Sequence, residues 1–504
     1  MGMQSLEDTI CAPATVPGTG AISIVRLSGP EALAVAGRAV KVKGTPLTET
    51  EGYRLRYGTV LSDDGSVLDE VVVSVFRAPH SYTGEDSVEI SCHSSRYIIT
   101  ALLGLLTAAG ARLAEAGEFT RRAFLNGKMD LAQAEAVADV IASGSKAQHR
   151  VAMNQLRGGY SAQLRELRAR MLEIYSLMEL ELDFSEEELE FADRSKLRSL
   201  LGEALGQCTR LADSFKEGNA IRSGVPVAIV GATNTGKSTL LNALLGDERA
   251  IVSPVPGTTR DTVEDCCIIG GVQFRFIDTA GIRETSDEIE KIGISRSYEK
   301  MCVASVVLAL LDAGAPQEEN KASVAEIASK LDFQSQKLII LLNKVDIIGD
   351  NINVNSVNEY VLSLDIKATA IAISAKAGFG LDELKKLLAD SQKSLLSDSD
   401  QAVVTNLRHY EALREAAAAL SRVIDGLGTS AAGSASSASY GAALPSDGTA
   451  LYGPDRPHAA GSPLPSDLLV EDLRYALNSL GSITGEITTD ELLGSIFSRF
   501  CVGK

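Results

Sequence analysis

The stretch that most limits what this chain can fold into is Val227–Leu241, VAIVGATNTGKSTLL. Val227–Val230 is an apolar run of the kind that fills a strand buried on both faces. It leads into Gly231-Ala-Thr-Asn-Thr-Gly236-Lys237-Ser238. Leu240, Leu241, Leu244 and Leu245 then recur at helical spacing. A strand, a glycine-bracketed loop ending in Gly-Lys-Ser and a helix form the context of a phosphate-binding P-loop. The glycines let backbone N–H groups turn inward around phosphate oxygens, and the helix N-terminus adds its positive dipole end. Thr235, Gly236 and Thr239 supply further loop and first-turn contacts. Lys237 is placed to reach the β- and γ-phosphates and Ser238 to hold Mg²⁺.

Four more segments follow in the order a guanine-nucleotide domain needs: Gly257-Thr-Thr-Arg-Asp261, Asp278-Thr-Ala-Gly281, Asn343-Lys-Val-Asp346 and Ser374-Ala-Lys376. Thr259 offers Mg²⁺ a second hydroxyl. Asp278, after the apolar Phe274–Ile277, can hold Mg²⁺ through water, and the Gly281 N–H suits the γ-phosphate. The Asp346 carboxylate can accept from guanine N1–H and the exocyclic amine, whereas adenine would leave that acceptor unpaired. Asn343 is expected to tie the base loop to the P-loop. Lys344 lies over the base, and the N–H near Ala375 meets guanine O6. GTP is therefore the expected nucleotide. The position after Gly281, where Ras-like sites carry a water-orienting Gln, is Ile282, which cannot polarise water. Hydrolysis needs another residue and another positive charge. Arg283, Glu284, Asp287, Glu288 and Glu290 are all available nearby.

The length of 504 residues suggests roughly three domains, and alternating patterns divide the chain accordingly. Residues 1–125 read as a mixed α/β domain, with strands at Ala21–Leu27 and Ser87–Ser91, a hairpin within Val60–Val75, and helices at Glu31–Val40 and Tyr97–Ala109. The glycines at 18 and 20 precede a strand and indicate a turn. Residues 126–223 read as helices, with Leu131, Ala134, Ala138 and Ile141, then Leu164, Leu167, Met171, Ile174, Leu177 and Met178, at helical spacing. The acidic run 186–193 is a solvated face. Residues 224–393 alternate strand and helix, as a parallel sheet requires. Helices return over 394–504, interrupted by 426–467, whose Ser/Ala/Gly/Pro composition predicts a disordered insertion. The fold class expected is multidomain α/β plus all-α. An N-terminal mixed α/β domain comes first, then a discontinuous helical domain with an inserted Ras-like P-loop G domain.

A net charge of −18 argues against broad nonspecific binding to nucleic acid. Seven scattered cysteines without a CxxC pair fit reduced thiols and a cytoplasmic protein. The acidic, proline-broken N-terminus is no signal peptide, and no apolar run is long enough to span a bilayer.

The P-loop NTGKS, the GTTRD segment, DTAGIRETSDEIEKIGI (278–294) and the C-terminal TTDELLGSIFSRFCVGK (488–504) together resemble the MnmE (TrmE) family of tRNA-modifying GTPases. DTICAPAT (8–15), TGED (83–86) and GEFTRRAFLNGKMDLAQAEA (117–136) resemble it as well, so the likeness covers all but 426–467. It implies a homodimer made by the N-terminal domain. It also implies a heterotetramer with the FAD-dependent partner MnmG (GidA), and a 5-formyltetrahydrofolate-type one-carbon donor. The implied product is a carboxymethylaminomethyl group at C5 of the wobble uridine of certain tRNAs. Carried over motif by motif, Asn234 ligates K⁺ with Ser253, Val255 and Thr258, in a nucleotide-binding segment that also includes Pro254, Pro256, Gly257, Thr279 and Ala280. Glu290 orients the hydrolytic water. Folate contacts fall on Arg26, Glu89, Lys128 and Lys504, and Cys501 is a possible nucleophile. Where the family usually has His-Gly-Gly this chain has His93-Ser94-Ser95. The competing class is a GTP-gated ribosome-assembly or RNA-binding regulator without modification chemistry, since the G-domain motifs alone do not separate the two.

Overall fold

The computed structural model describes residues 7–503 except 17, 19, 63, 184–193, 247–264, 278–300, 349–358, 360–365, 367, 394–401, 430–465, 499 and 501. Two compact units emerge: residues 1–138 with 481–504, and residues 139–480.

The first unit is built on a seven-stranded sheet. Its strands are β1 (Ile10–Pro13), β2 (Ile22–Ser28), β3 (Val40–Val42), β4 (Arg54–Leu61), β5 (Val67–Phe76), β6 (Ser87–His93) and β7 (Arg112–Leu113), in the order β3-β4-β5-β6-β2-β1-β7. The period-two alternation of β5 and β6 sends Val71, Val73, Val75, Val88 and Ile90 to one face. There they pack with Leu102 and Leu106 of helix Arg96–Ala108 and with Ala32, Val35 and Ala36 of helix Ala32–Ala39. The opposite face carries Arg26 and Glu89, which are directly paired in the β2–β6 register. β1 was not anticipated as a strand, because its Ile10-Cys-Ala-Pro13 is short and ends in proline. Residues 126–138 and 481–504, expected with the helical tracts, make most of their contacts within this unit. Val502 forms a β-bridge with Ala116, and Phe497 and Phe500 lie 5.5 Å apart between ring centres.

The second unit contains a six-stranded sheet of β8 (Val225–Val230), β9 (Asp265–Ile269), β10 (Val272–Phe276), β11 (Val306–Asp312), β12 (Lys337–Asn343) and β13 (Ala368–Ala372). The order is β13-β12-β11-β8-β10-β9, parallel except for the antiparallel β9–β10 hairpin. The apolar runs of β11 and β12 are buried nearly end to end because both sheet faces are covered. β8 lies between β11 and β10, where the strand order reverses. The crevice beyond the carboxyl end of such a strand is where open α/β sheets bind ligands.

Helices before the sheet (Lys146–Leu156, Gly159–Asp183, Arg194–Asp213, Phe215–Ser223) pack with helices after it (Leu407–Thr429, Ser466–Thr484). Phe215 stacks on Tyr410 with ring centres 4.6 Å apart. Arg422 pairs with Asp472 at 2.6 Å, and the Val404 N–H donates to Ser214 Oγ at 3.0 Å. Gly218 has no side chain because the Val404 carbonyl occupies the place of its Cβ. Helix Leu407–Thr429 runs four residues into the stretch expected to be disordered, and helix Ser466–Thr484 begins before its end. Residues 430–465 lie outside the described residues. Among the described residues no helix is long and apolar enough to cross a membrane.

Candidate functional site

β8 ends at Val230, and helix Lys237–Leu245 begins immediately after Gly236. The six-residue loop between them is held open by backbone conformations that few side chains adopt. Asn234 has φ 59° and Gly236 has φ 99°. Glycine is needed at 236 for a second reason: a Cβ there would strike the side-chain nitrogen of Asn343. The Lys237 ammonium donates to the carbonyls of Gly231 (3.0 Å) and Ala232 (2.8 Å), which places a cation at the mouth of the loop. Burial lowers its pKa from the ordinary lysine value. Phosphate oxygens arriving here would offset that desolvation. Thr235 is buried and closes the loop by donating to Ala232 O at 2.9 Å. Ser238 is half-buried in the first helical turn, and Thr239 is exposed beside it.

The base-recognition loops meet this cradle through one side chain. Asn343, at the end of β12 and 3% exposed, donates from Nδ2 to the Thr235 carbonyl at 2.8 Å. Its Oδ1 accepts from the Ala375 N–H at 2.9 Å. The expected tie between base loop and P-loop is thus made directly. Lys344 sits at φ 69° and its ammonium pairs with Asp312 at 2.7 Å. Burial alone would raise the pKa of Asp312. The Lys344 hydrogen bond, the Gly314 N–H and the Lys344 charge outweigh that and hold it below the usual carboxylate value. Asp346 is exposed, and its Oδ1 accepts from the Ser374 hydroxyl at 2.7 Å, which fixes the carboxylate's direction. The same Ser374 oxygen accepts from the Ala377 N–H at 3.1 Å. Lys376 is exposed on that turn. Asp312 was not singled out from the sequence, although its place at the end of β11, beside β12, was the available signal.

Ser253, Pro254, Val255, Pro256, Gly257, Thr258, Thr259, Asp278, Thr279, Ala280, Gly281 and Glu290 lie outside the described residues, as do Cys501 and Lys504.

In the first unit, Arg26 donates from Nε to Glu89 Oε1 at 2.9 Å, and its Nη2 lies 2.7 Å from the same oxygen. The guanidinium sits 5.4 Å from the ring centre of Tyr82 and 5.7 Å from that of Phe119, within cation–π range. Its Nη1 reaches the Gly503 carbonyl at 3.5 Å, so the C-terminal tail borders the pair. Lys128 is exposed and donates to Pro79 O at 2.9 Å, separately from that cluster. The His93-Ser94-Ser95 departure costs no backbone strain. Among the described residues only Tyr53, Asn234 and Lys344 have positive φ without being glycine. The Ser94 hydroxyl accepts from Ser23 at 2.8 Å and donates to Gly18 O at 3.3 Å.

Beside this pair lies an ionic cluster that the sequence did not reveal. Arg122, 1% exposed, donates to the Asp8 carboxylate (2.6 Å), the Asp8 carbonyl (2.8 Å), Glu118 (3.0 Å) and Glu85 (3.2 Å). Arg112 bridges Asp8 and Glu118. Burial pushes the Glu118 pKa upward. The Arg112 hydrogen bond, the Glu115 N–H and Arg122 outweigh it and bring it down from 4.5 to about 2.

Comparison with known proteins gives a consistent result. The family described as the GTP-binding protein TrmE N-terminus matches residues 9–128. The MnmE helical domain matches 131–438 and 455–501. The tRNA modification GTPase MnmE of Parabacteroides distasonis is 45% identical over 499 residues, covering 98% of this chain and 100% of that protein. The protein of the same name from Bacteroides thetaiotaomicron is 46% identical over 501 residues, with 99% and 100% covered. Among solved structures, Aquifex aeolicus Era bound to GDP·AlF4⁻ is 32% identical over 38% of this chain and 66% of its own, with a TM-score of 0.25.

Proposed function

Because the chain belongs to the MnmE (TrmE) family, we propose that its GTPase cycle at the β8 cradle serves tRNA modification. In this reading it works as a homodimer and in a heterotetramer with the FAD-dependent MnmG (GidA). The product is a carboxymethylaminomethyl group at C5 of the wobble uridine, with the one-carbon unit drawn from a 5-formyltetrahydrofolate-type folate. The observation that carries the GTP assignment is the Asn343 carboxamide. It joins P-loop and base loop in one buried contact while Ser374 aims the Asp346 carboxylate. An acceptor aimed this way suits the paired N–H donors of guanine and leaves adenine without a match.

The chain's own groups divide the work. Loop N–H groups and Lys237 bind and orient the phosphates, and Lys344 flanks the base. Glu290 is the proposed orienter of the attacking water, since Ile282 has no polar atom for that task. Ser238, in the first helical turn, fits Mg²⁺, with Thr259 as its second protein hydroxyl. Asn234 fits K⁺: its left-handed backbone leaves it exposed at the loop tip, with no hydrogen bond from its carboxamide among the described residues. Ser253, Val255 and Thr258 would complete that site. The cations would supply the positive charge that an arginine finger supplies in other GTPases. Arg26, Glu89, Lys128 and Lys504 are proposed to hold the folate. Glu89 suits its N–H donors, because among the described residues only Oε1 of that carboxylate is engaged.

Nucleoside mass analysis of tRNA from a strain lacking this protein tests the reading. Loss of the modified wobble uridine, restored by the intact gene, is expected. An unchanged wobble-uridine profile refutes the modification role and leaves the GTPase assignment standing.

A further inference from the structure

The motifs at 257–261 and 278–281 lie outside the described residues, but the hairpin between them does not. β9 starts at Asp265, shortly after the first motif, and β10 ends at Phe276, just before the second. The two strands turn at Gly270-Gly271, whose φ values are 59° and 84°. At that turn the hairpin is fastened to the helical part of its own unit. The Ala147 N–H donates to Gly271 O at 3.2 Å. Gln148 Nε2 donates to Gln273 Oε1 at 2.9 Å and to Arg222 O at 3.0 Å. Arg222 lies in the helix that runs directly into β8. Ala147 and Val151 pack into the core beneath the hairpin with Val272 and Phe274.

The same helix grips the helical tract at its other end. Gln155, 6% exposed, donates to Val403 O at 3.0 Å and Thr405 Oγ1 at 3.2 Å, where the chain re-enters that tract. Helix Lys146–Leu156 has eleven residues and is therefore about 16 Å long. Its first turn touches the hairpin and its last touches the return segment. The Gln148 side chain is divided between two tasks. Oε1 caps the helix by accepting from Ser145 N–H (3.1 Å) and Gly144 N–H (2.8 Å). Nε2 points away from the helix. A glutamate would cap equally well. The amide nitrogen is needed only for Gln273 and Arg222.

We infer that Gln148 is a positioning residue that couples the two parts of this unit. Through it, helix 146–156 transmits movement of the β9–β10 hairpin between nucleotide states to the return segment at 403–405. The coupling depends on the GTPase assignment and is independent of the tRNA and folate chemistry.

The chain has no tryptophan. A Tyr410→Trp substitution, stacked on Phe215 just beyond Thr405, therefore gives a single reporter at the far end of the helix. In the full-length protein, emission is compared with GDP and with a non-hydrolysable GTP analogue. The parent carrying only Tyr410→Trp should differ between the two states. Gln148→Glu combined with Gln273→Glu keeps the cap and sets two carboxylates against each other. That difference should then fall about threefold or more, with analogue affinity unchanged. Gln148→Glu combined with Gln273→Lys remakes the contact as an ion pair and should restore it. Gln148→Met, which cannot donate, should lose the difference without introducing charge and serves if the double carboxylate fails to fold. Equal emission of the parent in both states overturns the inference. So does an undiminished difference in folded Gln148→Met, or failure of the Glu–Lys pair to restore it at an unchanged melting temperature.

Discussion

Glu118→Gln tests whether the ionic cluster in the first unit holds its site together. The side chain is 1% exposed and keeps both oxygens engaged, by Arg112, Arg122 and the Glu115 N–H. A pKa of about 2 against an ordinary 4.5 corresponds to about 3 kcal/mol of stability at neutral pH. Removing the charge also leaves Arg112 and Arg122 short of an anion, so a loss of about 3–5 kcal/mol is expected for the variant. The sign follows from the direction of the shift. A carboxylate with a depressed folded pKa contributes fully above its unfolded value and loses that contribution as the solution is acidified toward its folded value. The gap between parent and variant should therefore be constant from pH 7 to about 5, narrow below about 4.5, and close toward pH 2. Denaturant unfolding of both proteins across that range measures it, with the transition of the first unit followed separately because a chain of several domains need not unfold in one step. The consequence reaches Arg26. Phe119 and Thr120 adjoin Glu118, Phe119 lies under the Arg26 guanidinium, and Thr120 bonds Tyr82 at 2.9 Å. Affinity for the folate proposed at Arg26 and Glu89 should weaken in parallel with stability. A gap between parent and variant that stays the same at pH 3 and pH 7 would refute the reasoning.

Four further outcomes are expected. Asn343→Ala leaves the Thr235 carbonyl and the Ala375 N–H without their partner, and should cost about 2–5 kcal/mol, read as weaker GTP binding by calorimetry; unchanged affinity would mean the two loops hold themselves. Asp346→Ala removes a charged acceptor and should weaken GTP about a hundredfold or more while leaving any weak ATP binding as it was. Replacing K⁺ by Na⁺ should sharply reduce GTP turnover, and Glu290→Ala should abolish hydrolysis with nucleotide binding retained; equal rates in both salts would remove the role proposed for Asn234.

What could be read from the sequence follows the range over which each signal acts. The strand-loop-helix at 225–245 and the buried strands at 306–312 and 337–343 are local patterns, and each is where its residues predict. Asn343 was legible because its partner loop is itself a motif. Arg122 was not. It lies in a helix whose sequence, EFTRRAFL, reads as polar and exposed, yet it is buried by Asp8, more than a hundred residues away. The docking of the tail was equally hidden. Val502 bridges Ala116, and Gly503 stands where Pro13 leaves no room for a Cβ. No local pattern in residues 481–504 marks them as neighbours of the first strand; only the resemblance, which sets Lys504 with Arg26 and Glu89, pointed there. The start of the low-complexity stretch at 426 is a different case. Composition registered the low-complexity stretch but not the helix that enters it as far as Thr429, since composition averages over a window and does not mark a helix end to the residue.

The two units solve the problem of joining distant segments with different chemistry. In the first unit the joint is charged: two arginines and three carboxylates gather around Arg122. In the second unit, besides ion pairs such as Lys344–Asp312 and Arg422–Asp472, four joints are neutral amides. Asn343 links P-loop to base loop, Gln148 links helix to hairpin, and Gln155 links helix to return segment. Gln336 holds the Met301 and Ala304 carbonyls while accepting from the Asp332 N–H. An amide presents a donor and an acceptor at one place, and its burial costs far less than that of an ion. It also carries no net charge, so its contacts are little altered when a polyanionic nucleotide and its cations arrive or leave nearby. A charged joint in the same place would change strength with every such event, at short range and in a medium of low dielectric constant. Amide joints at these four places are little altered by changes of nucleotide charge, as the proposed transmission of a β9–β10 shift through Gln148 requires.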